Sequence, residues 1–297
     1  MTTLKTLLGT MRLPFLLLTP ACVSVAIGTA FWQTGELNGF HVLLILVGAL
    51  SAHISVNVFN EYFDYKSGLD LKTERTPFSG GSGALQANPE VAKAALWFAW
   101  VTFAITGFIG FYFIGVHGWQ LLPLGLFGLL LLITYTTWWV YRPLMCLVAP
   151  GLGFGILMIM GTHFALTGEY SLVAFVASLP ATFLVSGLLL LNQFPDVEAD
   201  KSIGRKHFPI TIGFRKSALV LGCFYLLTYL AVIFGVAAQQ LPTYCLIALT
   251  TAPLALKAFR EAKDFKGDIS QLIPAMGMNV AVTLLTPVLL AVGLFIG

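Results

Sequence analysis

Charge is what this 297-residue chain has least of: Lys, Arg, Asp and Glu together make up 10% of it. Soluble domains carry about 25%. That shortage excludes a soluble globular enzyme, a disordered chain and a coiled coil. A net charge of +3 also excludes a nucleic-acid binder, because no phosphate-tracking surface can be built from it. Cysteine is scarce as well. Cys22, Cys146, Cys223 and Cys245 show no C-x-x-C spacing, which removes a zinc site or disulfide framework and predicts buried, inert thiols. Alternating strand patterns are missing, so a membrane barrel is excluded. No small-residue cleavage site follows the first apolar run, which therefore reads as a span and not a signal peptide.

Apolar residues are abundant, at 58% of the chain, with a mean hydropathy of +0.88. The expectation is an all-α, polytopic protein embedded in a lipid bilayer. A span takes about 20 residues. The apolar runs predict nine, at 13–31, 40–60, 91–114, 119–139, 148–167, 172–195, 217–237, 242–258 and 272–295. They form one domain over 1–297, with similar halves of about 1–145 and 146–297. This assignment puts all sixteen Lys and Arg on one side, and only Glu36 and Glu169 among the acids on the other. The positive-inside rule makes the basic side cytoplasmic, with the N-terminus inside and the C-terminus outside. A bacterial or archaeal cell membrane is the expected location.

Eleven acids crowd onto that same face, and the rule for cations does not explain them. Two segments echo each other. Asn60-Glu61-Tyr62-Phe63-Asp64 ends the second predicted helix and leads to Asp70. Asn192-Gln193-Phe194-Pro195-Asp196 ends the sixth and leads to Asp200. Residues four apart share a helix face, so Asn60 stacks with Asp64, and Asn192, Asp196 and Asp200 form a column if Pro195 does not break it. His53 and Asn57 lie a turn or two deeper. Carboxylates at a low-dielectric boundary cost several kcal/mol unless paired or metal-bound. Two opposed sets of Asp and Asn oxygens suit Mg²⁺, which takes one or two carboxylates together with substrate phosphates. Lys72, Arg75, Lys201, Arg205 and Lys206 stand close by in sequence to hold a polyanion. The inferred ligand is a magnesium diphosphate with an apolar remainder in the membrane. A transporter would instead place its polar residues near the midplane.

Other residues keep two readings. His53 is either a buried helix contact or functional. His163 is expected to pack, and His207, in a basic loop, to be solvated. Ser79-Gly80-Gly81-Ser82-Gly83 either presents N–H groups to an anion or is a flexible loop without the P-loop lysine.

Taken together, these motifs make the chain resemble the UbiA superfamily of intramembrane prenyltransferases. The segment Asn60 to Asp70 is similar to the family's first Asp-rich motif, and Asn192 to Lys201 to its second, in the form seen in the 1,4-dihydroxy-2-naphthoate branch of menaquinone biosynthesis. The resemblance implies a nine-helix bundle with a cytoplasm-facing chamber. It also implies transfer of a polyprenyl group from a polyprenyl diphosphate to a small aromatic acceptor, with two Mg²⁺ ions. Asn60, Asp64, Asp70, Asn192, Asp196 and Asp200 would be the metal ligands, with Asp64 and Asp196 central to catalysis. Arg12, Lys72, Arg75, Lys201 and Arg205 would bind diphosphate. Arg12 equally suits an anchor in the headgroups. Tyr135 and Arg142 would lie near the reacting carbon, although Trp138, Trp139 and Arg142 equally suit an interfacial belt. His53, Asn57 and Tyr141 would line the acceptor pocket. Glu61 stands where the family usually has Asp, which leaves its role open.

Overall fold

A computed structural model describes residues 2–297. The architecture is helical, with no strand among the described residues. Among the described residues, seven helices are long and apolar enough to cross a bilayer: α1 (Leu13–Thr34), α2 (Gly39–Ser67), α3 (Pro89–His117), α5 (Pro143–Thr167), α6 (Leu172–Asn192), α7 (Phe214–Ala237) and α9 (Ile269–Ile296). Between α3 and α5 lies the shorter apolar α4 (Trp119–Thr134). The run expected as a span over 242–258 is not a single α-helix. It begins as 3-10 turns at Thr243–Thr251 and continues as α8 (Ala252–Lys263). Lys257, Arg260 and Lys263 make α8 amphipathic, so its charged face must meet water or headgroups.

Local sequence sets the helix ends. Asn38 caps α2 by accepting from the N–H groups of Phe40 and His41 at 3.0 and 3.2 Å. Gly68, at φ +74°, closes its far end in the left-handed region. The helix therefore runs seven residues past the apolar stretch predicted for it, and Asn60, Glu61 and Asp64 lie within its last two turns. Ser171 caps α6 and Asp268 caps α9 in the same manner.

Packing follows the small residues, as lipid-embedded helices require. Helix α2 lies along α3, α6 along α7, and α9 along α1. Val25, Ala26, Ala177, Ala181, Leu290 and Leu294 form a core joining α1, α6 and α9. Helix α5 contains Pro150 and then a π-helical stretch, Leu152–Leu157. A buried π-turn is a common way to re-aim side chains beside a functional site. Gly151 and Gly155 bring this stretch onto the backbone of Thr182 in α6. Of the thiols, Cys22, Cys146 and Cys245 are buried as expected, but Cys223 is exposed. It sits on α7, where exposure means contact with lipid.

A Cβ on Gly155 would come within 2.6 Å of the Thr182 Cα. Gly155→Val should lower stability by about 1–3 kcal/mol, read as a drop in thermal midpoint in detergent. Gly115→Ala, which meets nothing within 4 Å, should leave the midpoint unchanged or raise it. Equal effects would refute close packing of α5 on α6.

Candidate active site

Helix α2 carries the first motif to the mouth of the bundle, and the chain then turns back. After Gly68 a 3-10 turn, Leu69–Leu71, returns Asp70 inward to 5% exposure. On the other side, α6 ends at Asn192, and Pro195 prevents its continuation. A new short helix, Val197–Ser202, begins after Asp196. The expected column of Asn192, Asp196 and Asp200 is therefore split between two helices. All three residues still reach one chamber.

That chamber has a volume of about 280 Å³. Asn60, Asp64 and Asp70 line one wall, and Asn192, Asp196 and Asp200 the other. Arg12, His53, Arg205 and His207 are the basic side chains among its lining residues. Tyr135, His53 and Asn57 stand at its inner end, where it meets a second, mostly apolar cavity of about 420 Å³. Arg12, Asn60 and Phe154 also border both spaces. The second cavity is walled by α2, α3, α4 and α5, with Gly48, Gly107, Gly110 and Gly128 leaving room between them.

One side chain ties the two walls together. Arg205 Nη2 donates to Asp64 Oδ1, and Nη1 donates to Asp200 Oδ1 at 2.9 Å. Gly204, at φ +82°, makes the turn that folds Arg205 back over the short helix. Burial pulls the guanidinium down, but Asp64 and Asp200 outweigh it and hold Arg205 above its ordinary value. His207 Nε2 lies 3.0 Å from the other Asp200 oxygen and is 2% exposed. The sequence reading placed His207 in solvent. The Gly204 turn and the short helix Phe208–Ile212 tuck it beneath Asp200 instead. A basic loop rich in polar residues offered no signal of that burial.

Of the other expected residues, Lys72, Arg75, Lys201, Arg142 and Tyr141 are not among the residues lining the chamber. Lys72 donates to Ser202 Oγ at 3.1 Å, joining the two polar loops on their exposed side. Arg75 and Lys201 are exposed, and neither borders the chamber. Arg142 stacks on the Trp138 ring at 3.7 Å and donates to the Trp138 carbonyl. Tyr141 is 37% exposed. Thr19 Oγ1 lies 2.8 Å from His53 Nδ1, and the Phe154 ring meets the imidazole edge-on at 4.6 Å. Asn57 donates to the Met11 carbonyl at 2.9 Å while bordering the chamber. His163 packs as expected, 2.9 Å from Thr29 Oγ1.

The oxygens suit a hard cation. Asn192 Oδ1 and Asp196 Oδ1 are buried with no hydrogen-bond partner among the described residues, a costly state unless a cation completes them. Burial pushes the Asp196 carboxyl up to about 8, and the Asp200 carboxylate adds to it against Arg12 and Arg205. Burial also raises Asp70, opposed by the Gln86 amide, which donates to Asp70 Oδ2 at 2.7 Å. Among the described residues no three His, Cys, Asp or Glu side chains converge on one point. An ion here would therefore draw on amide oxygens and on oxygens from outside the protein too, a mixed set of the kind Mg²⁺ takes.

A sequence model of the UbiA prenyltransferase family matches residues 21–267. The chain is 27% identical over 252 residues to 1,4-dihydroxy-2-naphthoate octaprenyltransferase of Bacillus subtilis (strain 168), covering 82% of this chain and 78% of that protein. It is 26% identical over 303 residues to the protein of the same name from Haemophilus influenzae, covering 93% and 92%. Among solved structures, a UbiA homolog from Archaeoglobus fulgidus bound to DMAPP and Mg²⁺ matches with a TM-score of 0.66 at 15% identity, over 97% of this chain and 99% of that one. The apo structure of a UbiA homolog from Aeropyrum pernix K1 matches with a TM-score of 0.72 at 15% identity, over 95% and 98%. At these identities the structural likeness shows the fold.

The Asp196 shift has a stability consequence. Between its ordinary 3.8 and about 8, the folded chain keeps a proton that the unfolded chain releases. The folded state then binds more protons, so stability falls as pH rises through that window. Without added metal, the thermal midpoint should drop from about pH 5 to about pH 8, and Asp196→Asn should flatten the slope. An unaltered slope in the variant would contradict the assignment.

Proposed function

The chain belongs to the UbiA prenyltransferase family, and on that premise we propose that it transfers a polyprenyl group from polyprenyl diphosphate to 1,4-dihydroxy-2-naphthoate in menaquinone biosynthesis. The observation that carries this reading is the junction of a carboxylate- and arginine-lined chamber with an apolar cavity. A polar diphosphate head and a hydrocarbon tail need those two environments side by side.

Arg12 and Arg205 offer the cations for the diphosphate oxygens. Asn60, Asp64, Asp70, Asn192, Asp196 and Asp200 would hold Mg²⁺, in our reading two ions. Magnesium, when bound, supplies positive charge that steadies the departing diphosphate. The allylic carbon would sit at the junction, beside Tyr135, Phe154 and His53. The C–O bond breaks with its electron pair staying on the diphosphate. A ring carbon of the acceptor supplies the pair for the new C–C bond, and the substituent displaced from that carbon leaves without its pair. Apolar walls keep water from capturing the allylic cation. Lys72, Arg75 and Lys201 lie outside the chamber and would act on the approach of the anion and not in its final seat.

The topology that accompanies this reading has nine spans, adding α4 and the 3-10 and α8 stretch to the seven long helices. The chamber faces the cytoplasm, the N-terminus is inside and the C-terminus outside, in a bacterial or archaeal cell membrane. The naphthoate acceptor is favoured by the named activities of the B. subtilis and H. influenzae relatives. A lipid-alcohol acceptor is the second reading. It is motivated by 26% identity over 215 residues to digeranylgeranylglyceryl phosphate synthase of Pyrococcus furiosus, covering 67% of this chain and 64% of that protein.

Membranes containing the protein, given a polyprenyl diphosphate, Mg²⁺ and a mixture of naphthoate, hydroxybenzoate, homogentisate and glycerol-phosphate lipid acceptors, should yield prenylated naphthoate by mass spectrometry. Prenylation of another acceptor would replace the acceptor assignment, and no consumption of the diphosphate would sink the whole reading. Asp64→Ala or Asp196→Ala should reduce kcat by about 10²-fold or more while leaving membrane insertion intact.

A further inference from the structure

Glu61 sits inside the first acidic motif, yet it borders neither the chamber nor the apolar cavity. It is 1% exposed, and a buried carboxylate there needs partners. It has three. Its Oε1 accepts from the Ser82 N–H at 2.8 Å, its Oε2 accepts from the Ser82 hydroxyl at 2.5 Å, and Oε1 lies 3.9 Å from Arg12 Nε. Both carboxylate oxygens are thus engaged by the loop and by Arg12.

The partners explain the geometry around it. Ser82 belongs to Ser79-Gly80-Gly81-Ser82-Gly83, whose three glycines all have positive φ. The Ser79 to Gly81 side of this loop borders the chamber. Gly81 backs directly onto Asp70: a Cβ there would lie 2.8 Å from Asp70 Oδ1. Just after the loop, Gln86 holds the other Asp70 oxygen. On the opposite flank, Arg12 has φ +54°, an uncommon conformation for a side-chain-bearing residue. Asn57 grips the preceding carbonyl, that of Met11, and Glu61 faces the Arg12 guanidinium. Asn57 and Glu61 are four apart on α2 and so share one face. That face fastens the N-terminal turn, while Glu61 alone also reaches the glycine loop.

We propose that Glu61 is a positioning residue and not a metal ligand: it anchors the Ser79–Gly83 loop and the Arg12 side chain from behind, and so presents Asp70 and Arg12 to the diphosphate head. This rests on the prenyltransferase reading for the identity of the ligand, but the anchoring itself does not. The loop is accordingly neither free nor a P-loop-like cradle. It is a pinned wall whose glycines let the backbone pass close to Asp70 and Arg75.

The test compares Glu61→Ala, Glu61→Gln and Ser82→Ala in the purified full-length protein. Hydrogen exchange of the 79–87 amides reads the anchor without turnover. Kinetics with geranyl diphosphate and naphthoate read its consequence. Losing a charge-assisted pair of bonds should speed exchange about tenfold or more in Glu61→Ala, and about threefold in Ser82→Ala, which keeps the backbone bond. Glu61→Gln can still accept from the Ser82 N–H and donate to its hydroxyl, so its exchange should stay within about twofold of wild type. KM for geranyl diphosphate should rise about tenfold in Glu61→Ala, with kcat within about threefold. Wild-type loop exchange in both Glu61→Ala and Ser82→Ala would overturn the proposal. So would a tenfold rise in the Mg²⁺ midpoint of Glu61→Gln with its loop exchange unchanged, the signature of a lost ligand. If Glu61→Ala does not fold, Ser82→Ala decides the anchoring. Inactivity of the wild type with every donor and acceptor would count against the prenyltransferase reading, while the exchange comparison would still decide the anchor.

Discussion

The site depends on a single guanidinium. Arg205 lies between Asp64 and Asp200, which are contributed by segments far apart in the chain. Removed from water, these carboxylates would repel each other and Asp70 and Asp196 as well. An isolated carboxylate at such a boundary would take up a proton or draw in a cation. Arg205 bridges the two walls with a planar fork of donors that a lysine could not reproduce. The loop after α6 therefore closes onto the end of α2, and His207 follows it into the protein to meet the remaining Asp200 oxygen. Satisfaction is incomplete. The Asn192 and Asp196 oxygens without partners mark where further positive charge belongs.

Around this polar centre the protein divides its labour between rigid and pinned parts. The helices are held by small-residue contacts, such as Gly151 and Gly155 on Thr182, which permit close approach without a hydrophobic driving force in lipid. They enclose a mostly apolar space next to the chamber. The loops are fixed by charge. Lys72 links the two loops across the outer face, Gln86 restrains Asp70, and Glu61 fastens Ser82 and Arg12.

Much of the fold could be read from the chain because bilayer physics leaves few options. A 20-residue apolar run is a helix, since its backbone has nowhere else to hydrogen-bond. The departures occur where that constraint weakens. The segment at 243–263 holds cations that pull its second half toward water, and the α2 helix outlasts its apolar stretch because a left-handed glycine, and not polarity, ends it. The acidic motifs were legible from their echo and spacing. The burial of His207 and the anchoring by Glu61 were not. Each depends on a contact between residues distant in sequence or on a turn whose direction spacing cannot specify.

Composition and periodicity by themselves determined that this is a helical membrane protein with its carboxylates gathered at two matching helix ends. A scarce charge in a lipid environment must be functional or exposed, and local sequence is enough to say so. Only the tertiary structure decided which charges meet. It set Arg205, and not the lysines, between the two motifs, engaged Glu61 with Ser82 and Arg12, and joined the chamber to an apolar cavity. Those outcomes rest on where the chain returns after Gly68, Pro195 and Gly204, and the direction of a return is fixed by packing across the bundle and not by the residues that make the turn.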